Sequence, residues 1–307
     1  MKILISVFTL LLLLSGCSPN ETTSMPLEAT LLSHESILST ERIILEPYIP
    51  DPFTGELINT SLVSIYRIRY KSDQYEVMGY IAAPSDYMYH KYPILIYNRG
   101  GNRSFGALIP EYIGWLALRG YIVLGSQYRR AEQFGGDEIN DVIKLIDISE
   151  SFSFAQQGGV YMLGTSRGGM MTYIASRMDD RIRAAAVWAA VSNLFDSFND
   201  RELAMQQVHI ELIGGTPEEL PEEFKRRSAV FWADEIMAPL LIGHGGDADW
   251  RVLTQHSINM AKALERYGKP HRLIIYPEAG HGFGGTDFLE EMDAWFRLHP
   301  IHITKLN

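Results

Sequence analysis

Gly164-Thr165-Ser166-Arg167-Gly168-Gly169 is the stretch of this chain that decides its fold. The apolar run Gly159-Val160-Tyr161-Met162-Leu163 leads into it, and a helix-like run from Met170 to Met178 leads out. Ser166 therefore stands at the apex of a strand, a sharp turn and a helix. A serine hydroxyl is a poor nucleophile unless it is exposed, held beside a base and placed near donors for the oxyanion it creates. Gly164 and Gly168 sit two residues either side of the serine, where a tight turn leaves no room for side chains. The helix that follows points its N-terminus at the serine and so favours negative charge there.

Outward from that turn the chain alternates strands with helices. Leu62 to Tyr70 and Tyr75 to Ala82 alternate like the arms of a hairpin around Ser72-Asp73-Gln74. Pro93 to Tyr97, Tyr121 to Leu124, Ile182 to Val191, Pro239 to Ile242 and Leu273 to Tyr276 are short apolar strands. Helices are expected over Leu108–Leu118, Asp137–Ser149, Thr254–Tyr267 and Asp287–Leu298. Such alternation predicts an α/β domain with a mostly parallel sheet of about eight strands, covered by helices on both faces. Asn193 to Ile236 breaks the rhythm with charges and with Pro217 and Pro221, and is expected to form a cap or lid.

A serine nucleophile needs a base, and the base needs a carboxylate to orient it. Candidates belong after strands, where sheets of this kind bind their ligands. His244-Gly245-Gly246-Asp247-Ala248-Asp249-Trp250-Arg251-Val252 follows one strand, and Pro277-Glu278-Ala279-Gly280-His281-Gly282-Phe283 follows the last. His281 is the expected base, between two glycines that bring backbone close and leave the ring exposed. Asp249 is the expected acid, since Asp-x-x-Val ahead of a helix puts it in a strand-to-helix loop. Asp247 is the other choice, and its alternative role is to bond amides of its own loop. His244 ends its strand beside these residues and reads as structural. The chain order Ser, Asp, His is that of the α/β-hydrolase fold.

With these pieces in place, the chain resembles the catalytic domain of the prolyl oligopeptidase family, a branch of the α/β-hydrolases. The likeness runs from about Leu62 to Leu298 and rests on the Ser166 hexapeptide, on His244–Val252 and on Pro277–Phe283. Asp249 lies 83 residues after Ser166, and His281 lies 32 after Asp249; both gaps suit that family. The resemblance implies a serine peptidase that works through an acyl-enzyme, with Ser166, Asp249 and His281 as its triad and no metal or organic cofactor. A carboxylesterase for small acyl esters would use the same triad. A binding protein on a retired hydrolase fold is the reading least favoured by an intact triad. The family's peptidases usually carry a β-propeller before the hydrolase domain, and nothing of that length precedes Leu62 here. Their oxyanion loop is usually His- or Tyr-Gly-Gly, whereas this chain has Tyr97-Asn98-Arg99-Gly100-Gly101-Asn102-Arg103. The expected oxyanion donors are backbone N–H groups, from Arg167 and from Arg99 or Gly100. Arg99 and Arg103 are also candidates for holding a substrate carboxylate, against exposure or a structural ion pair. Pocket side chains are expected from residues 193 to 231 and from around Trp188 and Tyr128. Phe195, Phe198, Phe231 and Trp232 are candidates to line the cap.

The first residues have a different character. Lys2 supplies a positive end, and Ile3 to Leu14 an apolar stretch the length of a signal-peptide core, too short for a comfortable membrane span. It ends in Leu14-Ser15-Gly16-Cys17, which resembles the lipobox of bacterial lipoproteins, with Cys17 as the lipidated residue. Cys17 is the only cysteine of the 307 residues, so no internal disulfide can form. The expected organisation is a lipoprotein signal peptide over 1–16, a polar tether over 17–33 and the hydrolase domain over 34–307, lipid-anchored and extracytoplasmic. The formal net charge is −10, with no Lys/Arg cluster. That argues against nucleic acid and against adhesion to anionic lipid, leaving Cys17 as the anchor. The expected substrate is a small molecule or short peptide.

Overall fold

The computed structural model describes residues 26–51 and 55–301. The expected signal peptide and lipobox, with Cys17, lie outside them.

Strand Ile94–Asn98 shows how the sheet divides its core. Ile94 and Ile96 point into one apolar cluster, Leu95 and Tyr97 into the other. Side chains along a strand alternate faces, so a strand buried on both sides reads as an unbroken apolar run. This strand is β6 of eleven among the described residues: β1 Ile37–Ile43, β2 Tyr48–Pro50, β3 Leu57–Asn59, β4 Val63–Ser72, β5 Tyr75–Pro84, β6 Ile94–Asn98, β7 Ile122–Ser126, β8 Val160–Thr165, β9 Ile182–Trp188, β10 Leu240–Gly245 and β11 His271–Tyr276. Nine form one sheet in the order β1-β4-β5-β7-β6-β8-β9-β10-β11, while β2 and β3 pair separately. β6 to β11 run parallel. β1, β4 and β5 join antiparallel at one edge. The hairpin of β4 and β5 closes at Asp73 and Gln74, where Asp73 takes φ 52°. The sheet exceeds the expected eight strands because β1 buries none of its residues fully, so its sequence carries no apolar alternation.

Helices cover both faces, as expected. On one face lie α1 Leu27–Ser33, α3 Ile139–Ser149, α4 Arg167–Met178 and α8 Gln255–Arg266. Leu31, Leu145, Met170 and Leu264 carry them into the first cluster. On the other lie α2 Pro110–Ala117 and α9 Phe288–Leu298, through Ile113, Leu116, Met292 and Phe296. The expected cap contains α5 Leu194–Asp200, α6 Leu203–Ile213, α7 Pro221–Arg226 and two single 3₁₀ turns.

Residues 27–33, assigned to the expected tether, form α1 instead. Leu27 and Leu31, four residues apart, share one face of α1 and are fully buried. The Leu27 N–H donates to the Tyr87 hydroxyl at 2.9 Å. Burial of each leucine is worth roughly 1.5–3 kcal/mol, so α1 belongs to the domain.

Candidate active site

β8, β10 and β11 are parallel and end on the same edge of the sheet, so Ser166 and His281 line one cavity and Asp249 bonds His281, although the three are far apart in sequence. Ser166 has φ 56° and ψ −124°, a conformation that ordinary residues avoid at roughly 1–3 kcal/mol. The turn is held by the Ser166 N–H, which donates to the Trp188 carbonyl at 2.8 Å. A Cβ on Gly164 would stand 2.2 Å from Thr172 Oγ1, and one on Gly168 2.0 Å from the Asn98 carbonyl. Both glycines are therefore required, as the sequence implied.

Asp249 is buried, and each of its carboxylate oxygens lies 3.0 Å from His281 Nδ1. The Oδ1 atom also accepts from the N–H groups of Arg251 and Val252 at 3.1 Å each. Asp247 is exposed, and of the two aspartates it is Asp249 that bonds His281. The amide bonding foreseen for Asp247 is made by Asp249 instead. Burial alone would push the Asp249 carboxyl up, but hydrogen bonds with His244 and His281 outweigh it and hold the group well below the usual carboxylate range.

His244 does more than end its strand. It is fully buried, with Nε2 2.9 Å from the Val252 carbonyl and 3.3 Å from Asp249 Oδ2. A carbonyl can only accept, so Nε2 carries a proton, which the Asp249 oxygen shares. Nδ1 lies 2.6 Å from Ser257 Oγ. Asp249 thus stands between two imidazoles.

The glycines beside His281 are not the ones that allow close approach. A Cβ on Gly282 would touch nothing within 4 Å, and one on Gly280 would meet only the Ala248 carbonyl, at 3.8 Å. The close packing is across the gap. A Cβ on Gly245 would lie 2.4 Å from the carbonyls of Ala279 and Gly280, and one on Gly246 2.1 Å from that of Pro277. The Gly245-Gly246 pair lets the His281 loop lie against the Asp249 loop.

On the opposite side of Ser166 runs the 99–103 loop. A Cβ on Gly100 would fall 3.1 Å from Ser166 Cβ, so the Gly100 backbone passes next to the hydroxyl. Arg167 opens α4, so its N–H has no acceptor within the helix. Gly100 and Arg167 both line the cavity around Ser166; Arg99 does not. The Arg99 side chain is buried and donates to Glu132 Oε1 at 2.9 Å and to the Gln127 carbonyl at 2.8 Å. Arg103 is exposed and pairs with Glu211 at 2.5 Å. Neither arginine is a free cation for a substrate carboxylate. The guanidinium of Arg167 is buried too, bonded to Glu132 and, at 2.6 Å, to Glu138. Burial would raise the Glu138 carboxyl, but Arg167 and the Gly135 N–H hold it below the usual range. Glu132 and Glu138 escaped sequence reading because nothing separates a glutamate in a loop from a solvated one until its partners are known.

The cavity measures about 580 Å³. Tyr97, Phe105, Tyr112, Trp188 and Phe283 give it aromatic walls; Ser197, Arg201, Glu202 and Met205 come from the cap. Arg201 is pinned to Glu202 by two hydrogen bonds, at 3.0 and 3.1 Å. The expected cap aromatics do not line the cavity. Phe195 and Phe198 pack on Phe224, Phe231 packs on Phe195, and Trp232 lies under the Arg177 guanidinium. Tyr128 is likewise behind the wall, donating to the Arg99 carbonyl at 3.0 Å. Among the described residues, no group of three or more His, Cys, Asp or Glu side chains is placed to hold a metal ion.

Known proteins bear on this arrangement. Residues 113–299 match the prolyl oligopeptidase family. The uncharacterized peptidase YtmA of Bacillus subtilis is 28% identical over 245 residues, covering 76% of this chain and 94% of its own length. Dipeptidyl peptidase family member 6 of Caenorhabditis elegans is 28% identical over 186 residues, which is 55% of this chain and only 25% of that protein. The fold of the Pyrococcus horikoshii acylaminoacyl peptidase superposes with a TM-score of 0.67 at 20% identity, over 85% of this chain and 43% of that one. The family match spans more than half of the chain and takes in the Ser166 turn and both loops that meet it, and the chain belongs to the prolyl oligopeptidase family of serine peptidases.

Proposed function

We propose that this chain hydrolyses short peptides through an acyl-enzyme on Ser166. Ser166 Oγ attacks the carbonyl carbon of the scissile bond while His281 takes its proton. The carbonyl oxygen becomes an oxyanion that accepts from the N–H groups of Gly100 and Arg167. His281 then gives the proton to the leaving amine, and water repeats the sequence to free the acid. Asp249 keeps His281 in the tautomer that faces the serine and stabilises its cation. The observation that carries this reading is the pair of 3.0 Å contacts between buried Asp249 and His281, with His281 lining the cavity that also holds Ser166. Small substrates fit because Ser197, Arg201, Glu202 and Met205 bring the cap over that cavity. The test compares short acyl esters, dipeptidyl and blocked Xaa-Pro amides, and casein at equal enzyme. Turnover of the small amides with casein left intact is expected. Turnover of esters alone would make the chain a carboxylesterase, and rapid casein degradation without small-substrate turnover would show that the cap does not enclose the site.

We further infer a lipid on Cys17 that holds the domain to a bacterial membrane on its extracytoplasmic side. The charged end at Lys2, the apolar run and Leu14-Ser15-Gly16-Cys17 support it. Cys17→Ser should release the protein from lipid labelling and from the membrane fraction; continued lipidation would rule this out.

A further inference from the structure

Behind the two backbone donors lies a closed set of charges. Glu132 is buried, its side chain only 4% exposed, and its two oxygens face different partners. Oε1 accepts from Arg99 Nη2 at 2.9 Å. Oε2 accepts from Arg167 Nη1 and, at 3.0 Å, from the backbone N–H of Arg103. Each arginine reaches onward to the same loop. Arg99 donates to the carbonyls of Gly100 and Arg103 at 3.1 Å each, and Arg167 to that of Gly101 at 3.1 Å. Both guanidinium groups lie over the Tyr128 ring, at 4.8 and 5.1 Å from its centre.

The backbone around this carboxylate is strained. Arg103, Tyr128, Phe134 and Ser166 all have φ between 50° and 60°. Non-glycine residues keep such angles only where their surroundings over-determine them. The charges do not serve stability well. Arg99 Nε and Arg167 Nε are both buried without a hydrogen-bond partner. Buried ion pairs with unsatisfied groups are often matched or bettered by apolar packing, so stability alone does not account for this set.

We propose that Glu132 is a positioning residue for the oxyanion site: by binding Arg99 and Arg167 together, it fixes the separation of the Gly100 and Arg167 N–H groups. This rests on the reading of those groups as the oxyanion donors. One oxygen of Glu132 holds the side chain that precedes Gly100. The other holds the side chain of the residue that supplies the second donor. A shift of either arginine moves a donor, and the oxyanion loses contact where the ground-state carbonyl does not. Loss of one such donor lowers kcat by roughly 100- to 1000-fold, and a displacement of about 1 Å can cost roughly 100-fold.

The experiment uses the full chain and the variants Glu132→Gln and Glu132→Asp. Glutamine cannot accept from both arginines through its two ends. Aspartate keeps the charge but is one methylene too short to reach both. For each, kcat and KM are measured on the best small substrate. The affinity of a peptidyl trifluoromethyl ketone, whose hemiketal forms from Ser166 Oγ and places an oxyanion in the site, is compared with that of the matching methyl ketone. Glu132→Gln is expected to lower kcat and trifluoromethyl ketone affinity together, by roughly 30-fold, with KM and methyl ketone affinity within about threefold. Glu132→Asp should show the same pattern at smaller size. Unchanged constants, or parallel loss for both ketones and KM, would overturn the proposal, and so would failure of both variants to fold, which would make Glu132 a folding residue. Wild-type protein that binds both ketones equally would break the serine mechanism itself, a result distinct from any of these.

Discussion

Asp249 and Glu132 are both buried carboxylates that bridge two side chains, and they stand on opposite sides of Ser166. Asp249 lies between His244 and His281, and Glu132 between Arg99 and Arg167. The first acts on a group that must change its protonation, so one of its partners is left partly open: the His281 side chain is 22% exposed. The second acts on groups that must not change at all. Both of its arginine side chains are 2% exposed and hold a charge at any working pH. In the roles proposed above, one carboxylate steers a proton and the other holds a backbone. The difference predicts unequal responses to the loss of each charge.

Asp249→Asn should have the largest effect, roughly 10³- to 10⁴-fold on kcat, because an amide can stabilise the wrong tautomer of His281. Steady-state kinetics checks this, and Asp247→Asn is the control. Exposed Asp247 should change kcat by less than about twofold. A reversed ranking would move the acid to Asp247 and dissolve the comparison with Glu132.

His244 sharpens it. If its shared Nε2 proton helps to hold Asp249, His244→Leu should lower kcat by roughly 10- to 100-fold, the worth of a hydrogen bond to a charged group. His244→Gln, which restores a donor near the Nε2 position, should recover most of the loss. Equal activity of the two variants, at whatever level, would reduce His244 to a packing residue.

The smallest effect concerns imidazoles that are buried without a carboxylate at hydrogen-bond distance. His209 is fully buried, packed between Phe134 and Phe198, and neither ring nitrogen has a hydrogen-bond partner. Burial, helped by Arg201 and Arg167, lowers its pKa from 6.5 to about 4. The unfolded chain therefore takes up this proton before the folded one does. Stability falls as pH drops from about 6.5 towards 4 and levels off below, with a loss of roughly 2 kcal/mol by pH 5. His209→Leu should flatten that part of the pH dependence in thermal melts. The same slope in the variant would mean that His209 does not titrate with folding.

The alternation of strands and helices around Ser166, and the candidate set Ser166, Asp249 and His281, are legible because their signals are local. A glycine two residues from Ser166 on each side reports a turn, and apolar runs as short as Pro93–Tyr97 report strands. Asp249 was separable from Asp247 by its distance from Val252, since Asp249 is the one that accepts the Val252 N–H. What escaped depends on pairing across long separations. Glu132 gains meaning only once Arg99 and Arg167 are folded against it, 33 and 35 residues away. The glycines that let the His281 loop approach are Gly245 and Gly246, not the two beside His281, because close approach is a property of two segments. α1 was hidden because only Leu27, Thr30 and Leu31 of its residues are buried, amid a polar stretch.

The account stands on Ser166 as the nucleophile, and a fluorophosphonate tests that most directly. Wild-type protein should take up one adduct, on the peptide that contains Ser166. Ser166→Ala should take up none, fold normally and lose activity by roughly 10⁴-fold or more. Labelling at another residue, or undiminished turnover by Ser166→Ala, would contradict the account.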